Sequence, residues 1–310
     1  MTRHFLRDDD LTHDEQRAVL DAAVTLKADP FADRCLAGPQ AVALIFDKPS
    51  TRTRVSFSVG VAQLGGLPLV LDALTTQMGR GEHLADTARV LDRQCAAIVW
   101  RTFGQERLSA MTEVSRVPVV NALTDQFHPC QVLADLMTVL EQRGSLAGRS
   151  LAYLGDAANN MAHSYLLGAA VAGMHVRVAG PAGHLPDPAV VSRAAELAGD
   201  HGGSVAVTTR PEEALDGADV VATDTWVSMG MEAQKAARAA ESPFAAYRVD
   251  DAAMERAHPS ALVLHCLPAY RGLEISASVL DGPQSVVWDE AENRLHAQKA
   301  LLSFLLRSSR

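Results

Sequence analysis

Short apolar runs alternate with longer stretches of helical period along this chain. The runs AVALIF (41–46), AAIVW (96–100), VPVVNA (117–122), SLAYLG (150–155), HVRVAG (175–180), SVAVT (204–208), DVVATD (219–224) and ALVLHC (261–266) are continuous in hydrophobicity instead of alternating. Continuity over such short runs is what a parallel strand buried on both faces requires, and the helical stretches between them supply the crossovers. The pattern predicts the α/β class, with two doubly wound parallel-sheet domains joined by long helices.

The helical stretches carry their own punctuation. LTHDEQRAVLDAAVTLKAD (11–29) opens with Thr12 and Glu15 at capping-box spacing. The helix after AVALIF carries Val55, Val59 and Ala62 as its expected buried stripe and stops at Gly65-Gly66. In HPCQVLADLMTVLEQRG (128–144), Leu133, Leu136, Met137 and Leu140 fall at i, i+3, i+4 and i+7, with Pro129 suited to the first helical position and Gly144 to the stop. RGSLAGRS (143–150) is the expected boundary, dividing residues 1–143 from 144–288. The tail 289–310, DEAENRLHAQKALLSFLLRSSR, reads as a further amphipathic helix with Leu295, Leu301, Leu302 and Leu305 on its apolar side.

Composition narrows the function. At 310 residues and 48% apolar content the chain exceeds the usual size of one compact core, which favours two domains. The net charge of −9, with no basic block at either end, excludes the electrostatic footprint of a nucleic-acid binder. An anionic ligand would have to be caught by a local arginine site. Cys35, Cys95, Cys130 and Cys266 show no C-x-x-C spacing, so neither a disulfide framework nor a zinc site is expected. MTRHFLRDDD has no apolar core of a signal peptide, and no stretch reaches the roughly 18 apolar residues of a membrane span, so a cytoplasmic location is expected.

The densest candidate chemistry lies in KPSTRTRVSFSVG (48–60), where Ser50, Thr51, Arg52, Thr53 and Arg54 crowd the turn from a strand into a helix. A helix start presents unpaired N–H groups and the positive end of its dipole, which together attract phosphate. Arg52 adds a planar charged fork suited to phosphate oxygens. Residues i and i+2 do not share a helix face, so Arg54 is not expected at the same ligand. Taken alone, Ser50 could simply cap the helix and both arginines could be solvated. The ends of the other strands reduce the weight of that reading: Arg101, His128 with Gln131, Asp156 to Asn160, Asp224, and His265-Cys266 each follow a predicted strand. In an open α/β sheet the ligand crevice lies beyond those ends.

STRTR, FHPCQ, DTWVSMG and HCLP, in this order and spacing, make the chain resemble the aspartate/ornithine carbamoyltransferase family over nearly its full length. The first two motifs are shared across the family; the last two mark its ornithine branch. The resemblance implies transfer of a carbamoyl group from carbamoyl phosphate to the δ-amino group of L-ornithine, with no metal or organic cofactor. It also implies a carbamoyl-phosphate-binding domain at 1–143, onto which the C-terminal helix 289–310 packs back, and an ornithine-binding domain at 144–288. Carried over to this sequence, Ser50, Thr51, Arg52 and Thr53 hold the phosphate, Arg101 bridges phosphate and carbonyl oxygen, and His128 with Gln131 binds the carbamoyl group. Gln77 would serve a neighbouring subunit's site in the family's homotrimer. Asn160, Asp224, Ser228 and Met229 would bind ornithine, Cys266 and Leu267 would lie between the substrates, and Arg294 would return to the carbamoyl phosphate. The catalytic set implied is Arg52, Arg101, His128 and Cys266.

Residues 225–243 read as a closing lid, and His163 as a packed or surface histidine. GDAANN lacks the G-x-G-x-x-G of a dinucleotide turn. Asp47 and Ser58 stand where the family often has Glu, at positions that are not ligands and where little consequence is expected. Tyr270 replaces a frequent histidine. The alternatives to an ornithine enzyme are a carbamoyltransferase for another amine acceptor, such as putrescine or N-acetylornithine, and a non-catalytic protein of this fold. The base that deprotonates the δ-amine and the physiological direction of the reaction stay open at this point.

Overall fold

The computed structural model describes residues 2–72, 75–226 and 243–309. They divide into two compact units, Met1–Met137 with Glu292–Arg310, and Thr138–Ala291.

In the first unit, α1 (His13–Ala28) precedes β1 (Ala41–Phe46), α2 (Thr51–Gln63), β2 (Leu67–Asp72), α3 (Leu84–Leu91), β3 (Ala97–Arg101), α4 (Gln105–Thr112) and β4 (Val119–Leu123). The Thr12–Glu15 capping box forms in both directions: Glu15 N–H donates to Thr12 Oγ1 at 3.3 Å and Thr12 N–H to a Glu15 carboxylate oxygen at 3.0 Å. The strands form a parallel sheet in the order β2-β1-β3-β4. The chain leaves β1 toward one edge and returns to build β3 and β4 on the other, so β1 and β3 flank the topological switch point. Ala43, Ile45, Ile98, Trp100, Leu108, Met111 and Val119 pack together in the core of this sheet and α4.

One strand of this unit is absent from the apolar runs read in the sequence, and one helix face needs correction. LPLVLD forms β2, an edge strand of the sheet paired with β1, where the missing N–H of Pro68 is tolerated. The buried stripe of α2 is also rotated. Thr53, Ser56, Phe57, Gly60 and Val61 are buried, whereas Val55, Val59 and Ala62 face outward, with Val55 56% exposed. The cause is a close approach by the C-terminal helix α11, which spans Val287–Ser308. A Cβ at Gly60 would sit 3.1 Å from Lys299 Cγ and 3.4 Å from Leu295 Cδ1, so the helix turns its small residues inward.

α5 (Pro129–Arg143) carries the chain out of the first unit. Leu133, Leu136, Met137 and Leu140 on it are buried, and Gly144 follows in the left-handed region at φ +74°. The second unit contains β5 (Ser150–Leu154), α6 (Asn160–Val171), β6 (His175–Ala179), α7 (Pro188–Asp200), β7 (Ser204–Thr208), α8 (Pro211–Leu215), β8 (Val220–Thr223), α9 (Asp251–Met254), β9 (Leu262–His265) and α10 (Ala277–Leu280). Its parallel sheet runs β7-β6-β5-β8-β9, which places a second switch point between β5 and β8. Ala152, Leu154, Val221, Val263, Ile275 and Leu280 belong to its core. Among the described residues no helix is long and apolar enough to cross a membrane.

Candidate active site

In the first unit the switch point assembles a cationic cluster. β1 ends at Phe46, and Ser50, in extended geometry at φ −165° and ψ 106°, caps α2 by accepting from Thr53 N–H at 3.3 Å. Ser50 is therefore a cap, and the helix it starts aims its positive dipole end at the rim of the sheet. Arg52 lies on the exposed side of that first turn. Arg54 points elsewhere: its guanidinium lies over the Phe46 ring, 4.3 Å from the centroid, and 3.6 Å from Asp72.

Arg101 is the last residue of β3 and is buried. Beside it the β3–β4 register slips, Trp100 facing Asn121 but Arg101 facing Leu123. Such an irregularity re-aims a side chain at the end of a strand. His128 and Gln131, at the start of α5, are also buried.

Arg294 reaches the same place from α11. Its Nη1 donates to Gln131 Oε1 at 2.5 Å and its Nη2 to Thr53 Oγ1 at 3.2 Å. Gln131 in turn donates to Asp135 Oδ1 at 2.8 Å. With its amide oxygen turned toward Arg294, Gln298 accepts from Nε and Nη2, each at 3.0 Å, and donates to Ser56 Oγ at 2.8 Å. Asp135 and Gln298 carry no sequence signal of their own; only the fold brings them to the cluster. Cys130, inside FHPCQ, is inert, since burial pushes its thiol up to about 12 and Sγ donates to Asn121 O at 3.3 Å.

His128 is held neutral. Burial strips water from its imidazolium, and the guanidiniums of Arg294, Arg101 and Arg52 repel a further positive charge, so its pKa falls well below the usual 6.5. A neutral imidazole can still donate a hydrogen bond to a developing oxyanion. The shift also links to stability. Below pH 6.5 the unfolded chain protonates this histidine while the folded chain does not. Stability therefore falls as pH drops through that window, by up to about 1.4 kcal/mol per pH unit, and is unaffected above it. Melting temperatures of the wild type and His128→Asn between pH 7.5 and 5 should show the steeper decline in the wild type; parallel declines would remove the histidine from the account.

Gln77 lies on an exposed turn, where its carbonyl accepts from Arg80 and Glu82 N–H groups, and does not join the cluster within one chain.

The second unit builds a separate polar group at its own switch point. Asp224 follows β8 and is buried, which raises its pKa above the usual carboxylate value. Its Oδ1 accepts from Thr225 N–H at 2.7 Å and from Cys266 Sγ at 3.1 Å. Its Oδ2 accepts from Asn159 Nδ2 at 3.3 Å. Asn159, the N-cap of α6, lies in the strand-end stretch 156–160, where the sequence does not single it out as a ligand; Asn160 begins the helix one position later and is half-buried. A cap faces back over the strand end, and that geometry brings Asn159 to the carboxylate.

After β9, Leu267 N–H donates to His265 Nδ1 at 2.9 Å. Nδ1 is thereby the acceptor, and the proton sits on Nε2, 3.3 Å from Glu274 Oε1. Leu267 has φ +56°, an uncommon conformation for a branched side chain, and one that clusters at functional sites. Ligand atoms of Asp224, His265 and Cys266 lie within 4.8 Å of one another, but both ring nitrogens of His265 are already engaged, by Leu267 N–H and by Glu274, so the three do not form a ready cation site. His163 is structural, its Nε2 accepting from Asp187 N–H at 3.1 Å. Ser228, Met229 and most of the expected lid lie outside the described residues.

Comparison with known proteins bears on both units. Residues 3–141 match the carbamoyl-P binding domain, and residues 147–305 the Asp/Orn binding domain, of aspartate/ornithine carbamoyltransferase. The chain belongs to the aspartate/ornithine carbamoyltransferase family. Within the family it is 62% identical to an ornithine carbamoyltransferase of Clavibacter sepedonicus over 100% of both chains. Among solved structures, ornithine carbamoyltransferase from Pyrococcus furiosus superimposes with a TM-score of 0.92 at 42% identity, covering 98% of this chain and 96% of that one. The enzyme from Gloeobacter violaceus gives 0.87 at 45% identity, covering 98% of each. The family's second domain model extends to residue 305, whereas in this carbamoyltransferase fold Glu292–Arg310 pack with the first unit.

Proposed function

We propose that this protein is an ornithine carbamoyltransferase, catalysing transfer of the carbamoyl group of carbamoyl phosphate to the δ-amine of L-ornithine. The carbonyl carbon's bond to the phosphate oxygen breaks, its bond to the δ-nitrogen forms, one proton leaves that nitrogen, and citrulline and phosphate are released. The observation that carries the reading is the gathering of Arg101 and Arg294 around a neutral His128 beside the start of α2.

Attack by the amine places negative charge on the carbonyl oxygen, so donors already fixed there stabilise the transition state more than the ground state. Thr53, Arg101 and His128 are those donors, and Gln131 orients the carbamoyl amide. Ser50, Thr51, Arg52, Thr53 and Arg294 hold the phosphate, with Arg52 answering the charge that builds as it leaves. Asn160, Asp224, Ser228 and Met229 bind ornithine, and Cys266 with Leu267 completes the set at the reacting groups. Asp224 orients the δ-nitrogen, and Asn159 and Cys266 hold its carboxylate in place.

The finer biology follows the same reading: a cytoplasmic enzyme of arginine biosynthesis that works as a homotrimer, with Gln77 contributed to a neighbouring site. Support for assembly comes from the outward stripe of α2, with Val59 40% exposed, and from Leu67, Leu69 and Val70 of the β2 edge, which packs against α2. Apolar side chains exposed on neighbouring elements mark an interaction surface. Light scattering should give the mass of three chains, and Val55→Asp with Val59→Asp should shift it toward one; a wild-type monomer would refute the trimer.

A citrulline assay run in parallel with ornithine, putrescine, N-acetylornithine and aspartate tests the activity. Ornithine should be the one productive acceptor. Turnover with another acceptor in its place would reassign the substrate, and no product from any would leave a non-catalytic protein.

A further inference from the structure

Asp47 is the residue that immediately follows β1, and its carboxylate is nearly buried. Its Oδ2 accepts from Trp100 Nε1 at 3.1 Å, from Arg107 Nη2 at 3.3 Å and from Thr102 Oγ1 in a short contact. Its own N–H donates to Arg101 O at 2.9 Å. One aspartate thus grips the backbone of Arg101 and the side chains of the residues on both sides of it. Arg107 balances the charge and stacks on Trp100, 5.1 Å from the ring centroid.

Alternation along a strand converts that grip into aim. Trp100 and Thr102, two residues apart, point to the face where the Asp47 carboxylate lies, so Arg101 between them is turned to the opposite face. The β3–β4 register slips between Trp100 and Arg101, and pairing resumes with Thr102 N–H donating to Leu123 O at 3.0 Å. At that slip the Asp47 carboxylate adds side-chain bonds on either side of Arg101 that hold its orientation.

We infer that Asp47 is a positioning residue that sets the direction of Arg101. It touches no substrate, and its effect on the reaction passes through the Arg101 guanidinium. The inference rests on the role proposed above for Arg101 in carbamoyl transfer. It replaces the sequence expectation that an aspartate at this position is of little consequence.

A double-mutant cycle on the full-length enzyme separates positioning from general support. Asp47→Asn keeps the shape but loses the charge that holds three donors, and should lower kcat roughly a hundredfold, the cost of displacing a reacting group by about an ångström. In an Arg101→Ala background the same change should cost less than about threefold, because there is no guanidinium left to misplace. Asp47→Glu retains the carboxylate and should recover most of the activity. Trp100→Phe and Thr102→Val, which each delete one donor with little change of shape, provide the same cycle at smaller amplitude if Asp47→Asn does not fold. Losses that multiply in the double mutants, or a folded Asp47→Asn with wild-type kcat, would overturn the inference. Failure of the wild type to make citrulline would instead remove the functional reading on which it rests.

Discussion

Arg101→Ala should lower kcat about a hundred- to a thousandfold, equivalent to about 3–4 kcal/mol of transition-state stabilisation. Arg101 is buried at the end of β3, and its charge contributes to holding His128 neutral. A buried cation facing an oxygen that becomes negative only during reaction acts mainly on the transition state. Affinity for carbamoyl phosphate should therefore fall much less than kcat, since the groups proposed to hold the phosphate, Arg52, Arg294 and the start of α2, are left in place. Arg101→Lys should recover little, because a point charge on a flexible stem cannot reproduce a fork held by its strand. Steady-state citrulline formation, with calorimetric titration of carbamoyl phosphate, separates the two effects. A loss confined to affinity would move Arg101 from the carbonyl oxygen to the phosphate.

Asp224→Asn should raise the KM for ornithine by about ten- to a hundredfold and leave carbamoyl phosphate affinity nearly unchanged. The estimate follows from losing a hydrogen bond to a charged partner, about 1.5–3 kcal/mol. The amide keeps the size of the carboxylate and can still accept from Thr225 N–H and Cys266, which limits structural damage. The asymmetry is the informative part, because Asp224 belongs to the second unit whereas the arginine cluster belongs to the first. Equal losses for both ligands would contradict the division of labour between them.

Much of this was legible in the sequence, for physical reasons that differ by element. β1, β3 to β5, β8 and β9 announce themselves because a strand covered on both faces must be apolar throughout, and β6 and β7 show the same apolar run although they are only partly covered. β2 does not, since an edge strand tolerates both Pro68 and exposed side chains. Val55 and Val59 were expected inside because they are apolar, yet the inner face of α2 is set by Gly60 and Ser56, whose small size admits α11. Hydrophobicity locates a helix; it does not by itself decide which face a distant partner will choose.

The site divides in the same way. Ser50 to Thr53, Arg101, His128 and Asp224 follow strands and could be picked out by that position alone. Arg294 follows no strand; its partner Thr53 is 241 residues away, so only resemblance pointed to it. Asp47, Asp135, Asn159 and Gln298 act by holding other side chains, and such roles exist only once the chain is folded. Asn159 and Asn160 look alike in sequence, and only the folded chain shows that the cap, Asn159, is the one that reaches Asp224.

The central claim is that the start of α2 with Arg52 receives the leaving phosphate. A crystal structure of the protein with a non-hydrolysable phosphonate analogue of carbamoyl phosphate tests it most directly. The account predicts the phosphonate oxygens on the N–H groups of residues 51–53 and on the Arg52 guanidinium, with the carbonyl oxygen toward Arg101 and His128. A phosphonate bound at any other place, or Arg52 turned away from it into solvent, would contradict the account.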